Sequence, residues 1–136
     1  MRRLVCFALV FAALACGGDD TTTPTQASVA GTWTLQTING SPLPFTLATS
    51  PAKIELLSSV VNVTANGTWT STTTNRTTFN GQATTTTSTD AGTYTLSGNN
   101  VAILSNTAGS TAQAGAVNGN TLTLSQQGFV FVYTKQ

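Results

Sequence analysis

Four Asn-Gly dipeptides divide the second part of the chain into runs of strand length. They lie at residues 39–40, 66–67, 80–81 and 118–119. Both residues of such a pair accept positive φ, so Asn-Gly is the strongest short-range signal for a two-residue β-hairpin turn. The runs between the turns have no sustained helical period, and their spacing is typical of an all-β sandwich or barrel. The sequence therefore predicts an all-β fold of antiparallel hairpins.

Ten candidate strands emerge when further breaks are placed at 90–92, 97–100 and 127–128. Their bounds are 29–38, 43–48, 53–65, 68–79, 82–88, 92–97, 101–105, 111–117, 121–126 and 129–135. Apolar and polar residues alternate along most of these runs, which assigns one face of each to the interior. About eight to ten strands favour a small antiparallel up-and-down β-barrel. A β-sandwich is the alternative, because alternation does not distinguish a closed barrel from two packed sheets.

Two of the runs depart from simple alternation. In the third, Ile54 and Leu56 face one way while Val61 and Val63 have the opposite parity, so a bulge or corner is predicted at 58–59. In the fourth, if Trp69 and Phe79 both face inward, the polar residues of the same parity face inward as well. These are Ser71, Thr73, Asn75 and Thr77. Either that strand is broken near 74–75, or the barrel contains a polar cavity.

The composition excludes several classes of function. Only 7% of the residues are charged and none is His, so acid–base or metal chemistry based on histidine is excluded. Without Arg2 and Arg3 the chain has three basic and four acidic residues. It therefore has no basic patch of the kind that binds nucleic acid. Glu55 and Asp90 are the only carboxylates after residue 28, and their spacing does not pair them for catalysis. We therefore expect no enzyme, no metal and no cofactor.

The N-terminus has the pattern of a secretory signal peptide. A positive start at residues 1–3 precedes an apolar segment at 4–15. At 1.5 Å per residue that segment reaches only about 18 Å, too short for a bilayer core of about 30 Å. Residues 1–15 are therefore expected to be removed, and the protein to be extracytoplasmic.

The residues at 12–18, Ala-Ala-Leu-Ala-Cys-Gly-Gly, resemble the lipobox of bacterial lipoproteins. The resemblance implies a lipid on Cys16 that anchors the chain to a bacterial membrane, the outer one in a Gram-negative cell. Ala13-Leu14-Ala15 also fits an ordinary cleavage site, so plain secretion is the alternative. Removal of Cys6 with the leader leaves Cys16 without a disulfide partner, which favours lipidation. Residues 16–28 are polar and predict a flexible tether.

Five segments of residues 29–136 resemble bacterial lipocalin-like lipoproteins. They are the Gly-Thr-Trp-Thr-Leu run at 31–35, the turn at 39–44, and the later segments 92–96, 119–124 and 131–135. The resemblance implies a lipocalin-like β-barrel in which the tryptophan of the first segment seals one end. That residue is Trp33. The family often covers this indole with an arginine of the last strand, and here Lys135 is the nearest cation.

The residues predicted to face inward are candidates for a ligand pocket or for the core. They are Trp33, Leu35, Trp69, Tyr94, Leu96, Phe129, Phe131 and Tyr133. About eight strands enclose an interior just wide enough for side chains to fill, which favours the core. Two functions stay open: a lipid-anchored barrel that binds a small apolar ligand, or a filled barrel that contacts an envelope protein through its surface.

Overall fold

The computed structural model describes residues 28–136. The signal peptide predicted at 1–15, Cys16 and the tether up to residue 27 lie outside the described residues. The described part contains ten β-strands: β1 (Gly31–Ile38), β2 (Ser41–Pro42), β3 (Phe45–Ala48), β4 (Lys53–Val63), β5 (Thr68–Phe79), β6 (Gln82–Ser97), β7 (Asn100–Ser105), β8 (Gln113–Asn118), β9 (Thr121–Gln126) and β10 (Phe129–Lys135). Between residues 28 and 136, no helix is long and apolar enough to cross a membrane.

Eight of these strands form a closed antiparallel barrel. Each strand from β4 to β10 pairs with the next in sequence, β10 pairs with β1, and β1 pairs with β4. The last pairing aligns Gly31–Thr34 with Val63–Val60 and closes the sheet on itself. The short strand β2 pairs with the end of β1, and β3 pairs with the beginning of β4. The up-and-down barrel predicted from the sequence is confirmed, and the sandwich alternative is excluded.

Two of the four Asn-Gly pairs have the backbone conformation predicted for a two-residue hairpin turn, whereas at 66–67 and 118–119 only the glycine has positive φ. Asn39 and Gly40 have φ of 50° and 78°, and Asn80 and Gly81 have φ of 49° and 78°. Positive φ at both central residues defines the type I′ turn, whose twist matches that of the flanking strands.

The predicted break at 90–92 is wrong. Residues 82–97 form the single strand β6, which pairs with β5 along its first twelve residues and with β7 from Gly92 onward. Gly92 permits a close approach rather than a turn, because a Cβ there would lie 1.9 Å from the Leu104 carbonyl oxygen. The glycine that suggested a turn in the sequence is therefore required for close packing between β6 and β7.

A bulge in β4 corrects the phase of its apolar residues. The β4–β5 register shifts between Leu56 and Ser58, so the extra residue is Leu57, one position before the predicted bulge. Leu56 then faces inward opposite Asn75, and Ser59 faces inward opposite Thr73.

The barrel has a well-packed end and a mouth. Trp33 lies near the end where β1 begins, is fully buried, and donates its indole N–H to the Val29 carbonyl at 2.7 Å. We call the opposite end, which carries the turns at 39–40, 80–81 and 127–128, the mouth. Here β4, β5 and β6 continue past the ends of β7–β10, so one wall is taller than the other.

An ionic cluster on the outer face holds the taller wall together. Arg76 of β5 donates to the Glu55 carboxylate of β4 through Nε at 3.0 Å and Nη2 at 2.8 Å. Lys53 Nζ lies 2.8 Å from the other oxygen of Glu55. Hydrogen bonds from Lys53 and then Arg76 lower the pKa of Glu55 below its ordinary value of 4.5.

Glu55→Gln should change how stability depends on pH. The folded-state pKa of Glu55 is lower than the unfolded one, so its stabilising contribution is complete above about pH 4.5 and is lost as the pH falls through the lowered pKa. We expect urea midpoints of the wild type and the variant to differ near neutral pH and to converge in acid. A difference in urea midpoint that stays constant with pH would contradict a stabilising role for the Glu55 ion pairs.

Candidate functional site

The mouth half of the barrel contains a cavity of about 230 Å³. Its walls come from β4, β5, β6, β7, β8, β9 and β10, so the cavity is bounded by nearly the whole barrel. The residues that line it are Leu56, Ser59, Val61, Trp69, Ser71, Thr73, Asp90, Ile103, Gln113, Leu124, Gln126, Phe131 and Tyr133. Apolar and polar side chains contribute in nearly equal number, so the cavity is amphipathic.

Ser71 and Thr73 of β5 line the cavity, as their parity predicts, whereas Asn75 and Thr77 do not line it and Phe79 at the end of the strand is exposed. β5 is continuous from Thr68 to Phe79, so the predicted break is wrong and the alternative of a polar cavity is confirmed. Ser59 Oγ and Thr73 Oγ1 form a hydrogen bond of 3.1 Å across β4 and β5. Burial raises the pKa of the Tyr133 phenol, and the hydroxyl of Ser59 opposes that rise. Tyr133 is thus kept as a neutral hydrogen-bonding group on the cavity wall.

Asp90 lies where β6 separates from β7. Beyond the Gly92–Ser105 pair, the Asn106 amide still donates to the Ala91 carbonyl at 2.8 Å, and the chain then leaves the sheet. The loop 106–112 takes the place of a strand at this point. Asp90, which pairs with the inward-facing Ser71, therefore faces the cavity beside a gap in the ladder.

The carboxylate of Asp90 is held by several donors. Its Oδ1 accepts hydrogen bonds from the Ser105 hydroxyl and the Ala91 amide, both at 2.8 Å, and from the Thr107 hydroxyl at 3.4 Å. In residues 28–136, Oδ2 accepts no hydrogen bond from a side chain or from the backbone. The side chain is fixed in direction while one oxygen stays open.

A second cleft adjoins the cavity under the loop 106–112. It has a volume of about 330 Å³ and shares Asp90, Gln113 and Gln126 with the cavity. One carboxylate and two carboxamides therefore stand at the boundary between the barrel interior and the loop. A molecule that enters beneath this loop meets polar groups first and the apolar wall afterwards.

The match to a known family agrees with this geometry. Residues 29–128 match the lipocalin-like domain family. The chain belongs to that family. Among curated proteins, none is significantly similar to it in sequence. Lipocalin-like barrels have an interior that can hold a small ligand, and the cavity in this lipocalin-like domain occupies that interior.

The eight candidate residues separate into two groups in the lipocalin-like barrel. Trp69, Phe131 and Tyr133 line the cavity. All eight belong to the core or pack against it, and the five that do not line the cavity are Trp33, Leu35, Tyr94, Leu96 and Phe129. The interior is thus filled around Trp33, and the cavity lies between that end and the mouth, where Phe129 packs against Phe45 and Phe131.

Hydrogen bonds orient two of the aromatic residues. The Trp69 indole donates to the Thr93 carbonyl at 3.0 Å, and the Tyr94 hydroxyl donates to the Thr64 carbonyl at 2.7 Å. Both bonds direct the polar atoms of these rings to the backbone. The Trp69 ring is left as an apolar surface beside the cavity.

Lys135 covers Trp33 at the packed end. Its Nζ lies 5.4 Å from the ring centroid and donates to the Ser28 carbonyl at 3.2 Å. These two contacts tie the last strand to the segment that precedes the first.

Three residues of the site were missed from the sequence. The sequence pattern places Asp90 in a turn, and it assigns neither Gln113 nor Gln126 to the interior. A signal was present for Asp90, because it has the same parity as Tyr94 and Leu96 in one strand. Gln126 also has a signal, because it has the same parity as Leu122 and Leu124 in β9. No such pattern marks Gln113, which follows a weakly patterned loop.

No metal centre is formed by the described part of the chain. Residues 28–136 contain no group of three His, Cys, Asp or Glu side chains close enough to bind an ion. The two carboxylates are also separated, because Glu55 lies on the outer face and Asp90 faces the cavity.

Lys135→Met should weaken the packed end. Loss of the cation above Trp33 is expected to lower the free energy of unfolding by about 0.5–1 kcal/mol. Urea denaturation of the two proteins measures the difference. Lys135→Arg keeps the charge and is the control, which should stay close to the wild type. Equal losses in both variants would show that the charge above the indole contributes nothing.

Proposed function

We propose that this lipocalin-like protein is a lipoprotein of the bacterial envelope that binds a small molecule inside its barrel. The observation that carries the proposal is the cavity of about 230 Å³ in the mouth half. It exceeds the engineered cavity of about 150 Å³ that admits benzene, and it is smaller than the range of roughly 300–1,000 Å³ for drug-sized ligands. The proposed ligand is therefore small, about the size of a single ring with a short substituent.

The lining of the cavity supports an amphipathic rather than a purely apolar ligand. Trp69, Ile103 and Phe131 offer apolar surface, while Ser71 and Asp90 offer polar atoms. Binding pockets commonly combine an apolar wall with a few polar groups that fix the orientation of the ligand. The ligand's apolar part would lie against the rings and its polar part towards Asp90.

The proposed location follows from the N-terminal sequence. The lipobox-like segment before Cys16 supports a lipid anchor, and the polar residues 17–28 support a tether between that lipid and the barrel. A diacylglyceryl group on Cys16 would carry two acyl chains, and stable anchoring needs more than a single chain. We assign the protein to the extracytoplasmic side of a bacterial membrane, the outer membrane in a Gram-negative cell.

Binding is a better proposal than catalysis or a purely structural role. Glu55 is engaged by Lys53 and Arg76, so the cavity carboxylate has no second carboxylate with which to share a proton. A filled barrel that acts only through its surface would need an interior without the observed cavity. An envelope partner protein is compatible with ligand binding and is not required for it.

Blocking the cavity should remove the ligand. Ser71 faces the cavity and the neighbouring Thr70 faces outward, so Ser71→Phe and Thr70→Phe place the same ring inside and outside the barrel. Native mass spectrometry of protein isolated from the envelope should show a bound small molecule in the wild type and in Thr70→Phe. The adduct should be absent from Ser71→Phe.

Each other outcome counts against the proposal in a defined way. A bare polypeptide mass in all three proteins would contradict ligand binding. An adduct that survives in Ser71→Phe would place the bound molecule outside the cavity. Circular dichroism of the three proteins would show whether the inserted ring has altered the barrel.

Cys16→Ser should abolish lipid attachment. Metabolic labelling with palmitate is expected to mark the wild-type protein and to leave the variant unlabelled, because the thioether forms on the cysteine sulfur. The wild type should sediment with membranes and the variant should not. An unlabelled wild type would contradict the anchor and leave ordinary secretion as the mode of export.

A further inference from the structure

We infer that the cavity binds a small organic cation, an alkylammonium or arylammonium compound whose charged group pairs with Asp90. The inference rests on the proposed binding function and adds the chemical class of the ligand. Four features of the described residues lead to it: the charge of the cavity, the fixed direction of the carboxylate, the placement of the basic side chains, and the rings on the cavity wall.

Asp90 is the only charged residue among those that line the cavity. The other polar groups there are hydroxyls and carboxamides, which are neutral. Asp90 is half-buried, and a carboxylate beside an apolar wall interacts more strongly with a nearby charge than one surrounded by bulk water does. The cavity therefore favours a positively charged occupant over a neutral one, and it disfavours an anion.

The carboxylate is arranged to receive a further donor. Ser105, Ala91 and Thr107 all donate to Oδ1, which fixes the plane of the group. Oδ2 is left without a donor from residues 28–136. A charge-assisted hydrogen bond to such an oriented oxygen is stronger than a bond between neutral groups, and little ordering is needed when the ligand binds.

The basic side chains of residues 28–136 are all engaged elsewhere. Lys53 and Arg76 contact Glu55 on the outer face of β4 and β5. Lys135 lies over Trp33 at the packed end and donates to the Ser28 carbonyl. None of them pairs with Asp90, so the charge of this carboxylate is left for a cation from outside.

The surroundings of Asp90 suit an ammonium group attached to an apolar body. An ammonium group has three donors and no acceptor. The side chains of Gln113 and Gln126 line the same boundary as Asp90 and can supply carbonyl acceptors. The rings of Trp69 and Phe131 supply apolar surface for a ring or a short alkyl chain and can also attract a cation.

Benzylammonium, benzyl alcohol and benzoate test the inference, because they share one ring and differ in charge. The full chain, isolated from the envelope, would be titrated with each compound while amide resonances are followed by NMR. We expect benzylammonium to bind roughly tenfold more tightly than benzyl alcohol, and benzoate to bind most weakly. The Ala91 amide, which donates to Asp90 Oδ1, should shift with benzylammonium and much less with the alcohol.

Asp90→Asn and Glu55→Gln form a matched pair of variants. Asparagine keeps an oxygen that accepts from Ser105 and Ala91 but removes the charge from the cavity. Glu55→Gln removes a charge from the outer face. Asp90→Asn should reduce benzylammonium affinity roughly tenfold and change benzyl alcohol affinity little, whereas Glu55→Gln should preserve the preference for the amine.

The possible results separate the inference from the function on which it rests. If benzyl alcohol binds in the cavity as tightly as benzylammonium, or if Asp90→Asn keeps the preference, the inference fails while a binding function stands. If no compound shifts the resonances of cavity residues and the isolated protein carries no ligand, both fail. Should Asp90→Asn not fold, the Ala91 shift and the order of the three affinities in the wild type decide.

Discussion

The pairing of β1 with both β10 and β4 is the constraint on which the rest of the structure depends. All other barrel pairings join strands that are neighbours in sequence, and within residues 28–136 only β1 pairs with strands distant from it in sequence. Trp33 sits in this strand, fully buried, between the partners Lys135 and Val61. Closure removes the open edges of the eight-stranded sheet and creates an interior that must be filled, or left as a cavity.

Unequal filling of that interior produces the candidate site. Large apolar residues occupy the end near Trp33, whereas β5 presents small hydroxyls towards the mouth. The extra residue Leu57 keeps Leu56 and Ser59 on the inner face despite their odd spacing. The eight barrel strands therefore form both a closely packed end around Trp33 and an amphipathic cavity nearer the mouth.

Strand order and the polar interior were predictable because both follow from local patterns. Asn-Gly pairs define the hairpins, and parity alone places Ser71 and Thr73 inside. The role of Asp90 was not predictable in the same way, because Asp and Gly so close together normally signal a turn. In the structure, Asp90, Ala91 and Gly92 stay paired with β5 and Gly92 lies against the backbone of β7, which shows that β6 continues. Which inward residues line a cavity depends on side-chain packing around the whole barrel, and a single strand pattern does not contain that information.

The central claim is that the mouth half of a closed barrel is left unfilled and is accessible to small polar molecules. Proton exchange and nuclear Overhauser contacts between water and the hydroxyls of Ser71, Thr73 and Tyr133 measure this directly. The account predicts contacts with water for these groups, and none for the indole of Trp33. An absence of water contacts at all three hydroxyls, together with direct contacts between Phe131 and Ser71 across the barrel, would show a collapsed interior and contradict the account.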